Sequence, residues 1–76
     1  MNDYGFTEKI LEALRLANSV SRREGQWANS YEVDAFRDEL GLKRKITHRD
    51  LDALVEQGLV ERRPFSEYGL FLYRIC

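Results

Sequence analysis

Residues 51–63 read LDALVEQGLVERR, and this stretch carries the strongest structural signal in the chain. Leu51 and Leu54 recur at the spacing of one helix face, and Gly58 follows as a residue that ends helices. Beyond the glycine, residues 59–65 change to an extended, partly apolar pattern. The stretch therefore predicts a helix that leads directly into a β-strand.

One helix is predicted on each side of Gly41. The later one is expected to span Lys43 to Gln57, with Thr47 on its inner face. The earlier one is expected to begin at the capping-box pattern of Asn29 and Glu32, or with Ser30 as the cap, and to end at Leu40. Its apolar stripe consists of Val33, Phe36 and Leu40.

The N-terminal part predicts another helix, from a cap at Thr7 to about Val20. Its inner stripe is formed by Phe6, Ile10, Leu14 and Ala17. Apolar residues also flank this stripe, which suggests that the helix packs on a second subunit. Residues 26–28 can form only a very short strand, with Trp27 as its anchor.

The C-terminal part predicts a β-hairpin. Its strands are expected at Leu59–Phe65 and Leu70–Ile75, and the polar, glycine-containing segment Ser66–Gly69 is expected to form the turn. Pro64 lacks a backbone donor and is expected at a sheet edge or near the tip of the hairpin.

This order of elements, together with three motifs, resembles the winged helix-turn-helix superfamily of bacterial and archaeal transcription regulators. The motifs are Ser30-x-x-Val33, Leu40-Gly41-Leu42 and residues 51–63. The resemblance implies one α+β domain over residues 1–76, with three helices, a short strand and a C-terminal hairpin called the wing. It also implies that the third helix lies in the major groove of double-stranded DNA, with the wing on the sugar-phosphate backbone or in the minor groove.

Basic residues are concentrated around the predicted start of the third helix. The cations are Lys43, Arg44, Lys45 and Arg49, with His48 beside them. Cations are unfavourable at a helix N-terminus, so an anionic partner such as phosphate gives a physical reason for the cluster. A solvated basic turn without a partner is the alternative. Arg49 is the best candidate to read a guanine, although an ion pair with Asp52 in the same helix is an alternative.

Arg62 and Arg63 enter the predicted wing and are candidates for contact with the DNA backbone. Neighbouring residues of a strand point to opposite sides, so only one of the two needs to face DNA. Two solvated arginines that protect an exposed strand edge are the alternative.

Composition limits the other functions. The net charge of −1 argues against a protein that coats nucleic acid nonspecifically. The lone Cys76 and lone His48 build neither a disulfide nor a metal site, and no catalytic motif is present, so we expect no metal, no cofactor and no enzyme activity. The absence of a signal peptide or membrane-span pattern leads us to expect a cytoplasmic protein.

Two functions therefore fit the sequence. The first is a homodimeric, sequence-specific DNA-binding protein that regulates transcription. The second is a winged helix that binds another protein within a larger assembly, for example a phage-derived one, and does not bind DNA. The acidic residues of the third helix, Asp50, Asp52 and Glu56, favour the second function.

Overall fold

The computed structural model of the protein describes residues 4–65 and 69–76. Over these residues the chain is an α+β structure with three α-helices and a two-stranded antiparallel hairpin. The elements are α1 (Tyr4–Val20), a 3₁₀ turn (Glu24–Gln26), α2 (Ser30–Asp34), α3 (His48–Glu56), β1 (Val60–Pro64) and β2 (Phe71–Ile75). None of the described helices is long and apolar enough to cross a membrane.

Helix α1 buries the stripe that its periodicity predicts. Ile10, Leu14 and Ala17 are buried, and Phe6 packs against the same core. The predicted cap at Thr7 is wrong, because the helix begins at Tyr4 and Thr7 lies within it. Starting earlier keeps Phe6 in helical spacing with Ile10, which holds its ring on the core.

Helix α2 begins at the predicted capping box. The Glu32 backbone N–H donates to Asn29 Oδ1, and the Asn29 N–H donates to Glu32 Oε1, each at 2.9 Å. The predicted end at Leu40 is wrong for the α-helix, which ends at Asp34. The chain continues in tighter turns, such as Phe36 N to Val33 O at 3.1 Å, up to Gly41.

Helix α3 begins at His48, so the predicted start at Lys43 is wrong. Residues 46 and 49 would share one face of a longer helix, which would turn Ile46 toward the exposed side of Arg49. Because residue 46 lies outside the helix, the Ile46 side chain is buried instead. Asp50 stabilises the new end, because its Oδ2 accepts the Thr47 N–H at 2.9 Å and the Thr47 hydroxyl at 3.3 Å. Gly58 ends the helix with a φ of +79°, as predicted.

The hairpin pairs Val60 with Ile75 and Arg62 with Tyr73, in agreement with the two predicted strands. The predicted turn residues 66–68 lie outside the described residues. The predicted strand at residues 26–28 is reduced to one bridge, in which Ala28 and Tyr73 exchange backbone hydrogen bonds of 3.0 and 2.7 Å.

Both faces of β2 are covered. Tyr73 is buried in the main core with Leu14 and Leu51, whereas Leu72 is buried on the other face, in the wall of a cavity that it shares with Trp27. The predicted anchoring role of Trp27 is consistent with its burial. The hairpin therefore has a core side, which meets α3, and a back side, which meets the Trp27 segment.

Candidate nucleic-acid interface

The basic segment of residues 43–45 lies in the loop between Gly41 and the N-terminus of α3. All three side chains are exposed. Because the helix starts at His48, these cations do not occupy its first turn, and the predicted charge repulsion with the helix dipole at residues 43–45 is wrong. The first turn contains Asp50 instead, whose negative charge is favourable there.

Lys45 and His48 come together beside the start of α2. They line one cavity of about 180 Å³ with Ser30 and Tyr31. Tyr31 is 69% exposed, the largest exposed fraction among the big apolar side chains of the described residues. Tyr31 was not among the predicted contact residues, although an aromatic residue off the apolar stripe of a short helix was a usable signal.

Arg49 lies on the exposed face of α3, together with Ala53 and Glu56. The alternative ion pair between Arg49 and Asp52 is not formed, because Asp52 accepts Arg62 instead. No carboxylate lies within ion-pair distance of Lys43, Lys45 or Arg49 in the part of the chain that the structure describes, residues 4–65 and 69–76. These three cations are therefore available to an anion from outside the domain.

Arg44 is engaged within the domain. Its Nη2 lies 3.0 Å from Asp50 Oδ1, and its guanidinium carbon lies 3.8 Å from the centre of the Phe6 ring. The Arg44 side chain is nevertheless 58% exposed. Ion pairs at this exposure contribute about 0–1 kcal/mol, so an outside anion can replace Asp50 at small cost.

Arg62 lies on the core side of the hairpin and contacts α3. Its Nη1 donates to Asp52 Oδ1 at 3.0 Å, and its guanidinium carbon lies 4.5 Å from the Phe71 ring centre. The Tyr73 hydroxyl donates to the same Asp52 oxygen at 2.8 Å. Burial and this hydrogen bond to Asp52 raise the pKa of Tyr73 above its usual range. Arg62 is thus joined to α3 by a network of three side chains.

Arg63 lies on the back side of the hairpin, away from Arg62, as strand alternation predicts. Its guanidinium carbon lies 5.5 Å from the Trp27 ring centre. Arg74 contacts the same ring at 4.3 Å and pairs with Glu61 at 3.0 Å. The structure therefore separates Arg63 from the cations that surround α3.

The two acidic residues nearest the predicted contacts both have structural partners. Asp50 bonds to Thr47 and Arg44, and Asp52 bonds to Arg62 and Tyr73. Of the three acids in α3, Glu56 has no ion-pair partner within residues 4–65 and 69–76. Most of the negative charge of this helix is consequently balanced by the domain itself.

Within the described ranges, no group of three His, Cys, Asp or Glu residues is placed to hold a metal ion. No protein-family model, curated protein or solved structure matches the chain. The functional assignment therefore depends on the geometry of the exposed cations around the N-terminus of α3.

Proposed function

We propose that this chain is a winged helix-turn-helix domain that binds double-stranded DNA as a small transcription regulator, without catalytic activity. The observation that carries the proposal is the exposure of Lys43, Lys45 and Arg49, which have no carboxylate partner among residues 4–65 and 69–76. In a chain with a net charge of −1, three such cations near one helix end are a local anion-binding surface.

In the proposed complex the N-terminal half of α3 enters the major groove. Arg49 points out of the exposed face and contacts the acceptor edge of a guanine, which discriminates between bases by about 1–3 kcal/mol. Lys43 and Lys45 precede the helix and contact backbone phosphates, with His48 between them and the bases.

The arginines that pair inside the domain also fit this proposal. Arg44 and Arg62 hold exposed ion pairs with Asp50 and Asp52. Because such pairs contribute about 0–1 kcal/mol, phosphate can replace either carboxylate when DNA binds. Arg62 extends the surface from α3 to the hairpin.

We also propose that the domain forms a two-fold homodimer through α1 and the end of β2. Leu11 of α1, Leu40 and Ile75 of β2 line one cavity of about 570 Å³. Glu8 and Arg15 lie at the two ends of this part of α1, so antiparallel packing of two copies places opposite charges near each other. Two such domains would contact half-sites about 34–36 Å apart on DNA.

A protein-binding module is the second candidate, and two observations favour it. Arg44 and Arg62 are neutralised inside the domain. Val20 is an exposed apolar residue, and it lines a separate cavity with Ala17 and Phe36 between α1 and α2. An apolar partner surface would cover Val20 and Phe36 without using α3.

Fluorescence anisotropy with a random duplex library separates the two candidates. DNA binding predicts measurable affinity at low salt and a steep loss as salt rises. Arg49→Ala and Lys45→Ala should each weaken binding, and Lys45→Ala should reduce the salt slope by about 1. Arg22→Ala is the matched control, because Arg22 is exposed and lines the cavity near Val20. Absence of duplex affinity at low salt contradicts the DNA proposal and favours the protein-binding module.

A further inference from the structure

The back side of the hairpin forms a cavity that DNA binding by α3 does not use. Its volume is about 440 Å³, within the range of about 300–1,000 Å³ that is typical of small-molecule sites. The apolar and aromatic residues of its wall are Trp27, Phe65 and Leu72, and the cations are Arg23 and Arg63.

The floor of this cavity is well defined. Trp27 and Leu72 are buried, whereas Phe65 is 49% exposed, with the guanidinium carbon of Arg23 5.2 Å from its ring centre. Gly25 lies at the edge with a φ of +81°, and a Cβ there would be only 2.8 Å from Trp27 Nε1. The next residue, Gln26, also has a positive φ of +60°, and its carbonyl accepts Asn18 Nδ2 at 2.8 Å. The edge is therefore a constrained segment that holds the Trp27 ring in place.

Two charges on the cavity wall are not balanced by the domain. Arg23 pairs with Glu32. In contrast, neither Arg63 nor Glu24 has an ion-pair partner in the described part of the chain, residues 4–65 and 69–76. The cavity thus offers one cation and one carboxylate around an aromatic surface.

We propose that this cavity binds a small zwitterion that carries an aromatic ring, of the size of a free aromatic amino acid. The ring of the ligand packs on Phe65 and Leu72, its carboxylate pairs with Arg63, and its ammonium group pairs with Glu24. This binding does not depend on DNA binding, because it uses none of the cations around α3.

Trp27 provides the measurement, because it is the only tryptophan of the chain. Titration of the full chain with L-phenylalanine should give a saturable change in Trp27 fluorescence, with half-saturation below about 10 mM. Three related compounds separate the contributions of the ligand groups. 3-Phenylpropanoate lacks the ammonium group, phenethylamine lacks the carboxylate and glycine lacks the ring. The first two should bind about tenfold more weakly, because each loses one charge-assisted contact, and glycine should give no change.

Two variants test the charged contacts. Arg63→Gln should weaken L-phenylalanine about tenfold and leave phenethylamine unchanged, whereas Glu24→Gln should weaken L-phenylalanine and leave 3-phenylpropanoate unchanged. Arg22→Gln is the control, because Arg22 is an exposed arginine that does not line this cavity. Circular dichroism checks that each variant is folded. The proposal is overturned if L-phenylalanine gives no saturable change, if 3-phenylpropanoate binds as tightly as L-phenylalanine, or if both variants bind like the parent chain.

Discussion

The Tyr73 hydroxyl donates a 2.8 Å hydrogen bond to Asp52 Oδ1, which joins β2 in the core to the exposed side of α3. The same oxygen accepts Arg62 Nη1 at 3.0 Å. One carboxylate of α3 therefore holds both strands of the hairpin. This contact gives an acidic residue of the proposed DNA-binding helix a structural role.

Removal of the hydroxyl with Tyr73→Phe should lower the free energy of unfolding by about 0.5–1.5 kcal/mol. The ring stays buried and Asp52 keeps Arg62, so only one hydrogen bond is lost. Urea denaturation measures the change. Tyr31→Phe, at a highly exposed position, should leave stability unchanged. Equal stability of the parent chain and Tyr73→Phe would show that this hydrogen bond contributes nothing.

Stability should also fall in alkaline solution because of Tyr73. Burial and the bond to Asp52 raise the pKa of this phenol in the folded state above its unfolded value of about 10. The folded state therefore binds the proton more tightly, and the resulting stability is complete below about pH 10 and lost as the pH rises through the folded pKa. Urea denaturation at about pH 8 and about pH 11 should show a smaller decrease for Tyr73→Phe than for the parent chain. The same decrease in both proteins would contradict this explanation.

Asp50→Asn should strengthen DNA binding and weaken the fold. The change removes the carboxylate that pairs with Arg44 and releases this arginine for phosphate. Affinity at low salt should increase about threefold to tenfold, and the salt slope should become steeper by about 1. Stability should fall by about 0.3–1 kcal/mol, because a negative charge is lost from the first turn of α3.

Glu24→Gln is the matched control for Asp50→Asn in the DNA experiment. It removes the same charge from the back side of the hairpin, where Glu24 lines the cavity with Trp27. An equal gain in affinity for both variants would mean that only the net charge of the chain matters. A gain confined to Asp50→Asn assigns the effect to Arg44.

Gly25→Ala should destabilise the domain by more than Gly41→Ala. Both glycines have positive φ, +81° and +71°, so both variants incur the left-handed backbone cost of about 1 kcal/mol. Only the Gly25 Cβ would also lie 2.8 Å from the Trp27 ring, whereas nothing lies within 4 Å at Gly41. Thermal unfolding measures the difference, and a red shift of Trp27 emission should accompany Gly25→Ala alone. Equal losses would indicate that the ring moves away without cost.

Leu11→Asp should convert the proposed homodimer to a monomer. Leu11 lines the α1 cavity with Leu40 and Ile75, and a charge there opposes burial against a second copy. Light scattering should show a mass that rises with concentration for the parent chain and stays monomeric for the variant. A monomer mass for the parent chain at every concentration would remove the dimer.

Local signals predicted much of the fold. The capping box of Asn29 and Glu32, the end of α3 at Gly58 and the buried stripe of α1 were all visible in the sequence. Each depends on residues within about four positions of one another, so a short segment contains the relevant interactions. The two strands of the hairpin were predicted from their local composition and the turn residues between them, although their pairing joins residues as far apart as Val60 and Ile75.

The start of α3 was not predictable from its own segment. A helix from Lys43 satisfies the local pattern, but a loop is favoured by the burial of Ile46 and by the hydrogen bond that its backbone N–H donates to Asp34 Oδ1 of α2, at 2.8 Å. Both contacts join residues that are distant in sequence. The basic residues 43–45 therefore lie in a loop before α3, and not at the N-terminus of the helix as predicted.

The amino-acid sequence by itself determined the presence of three helices and a hairpin, the capping box at the start of α2 and the end of α3 at Gly58, because these follow from spacing and local hydrogen bonding. Only the tertiary structure decided that Asp52 pairs with Arg62 rather than Arg49, and that Arg63 lies beside Trp27. The physical reason is that strand register and helix packing set which charges meet, and these depend on the whole core rather than on any one segment.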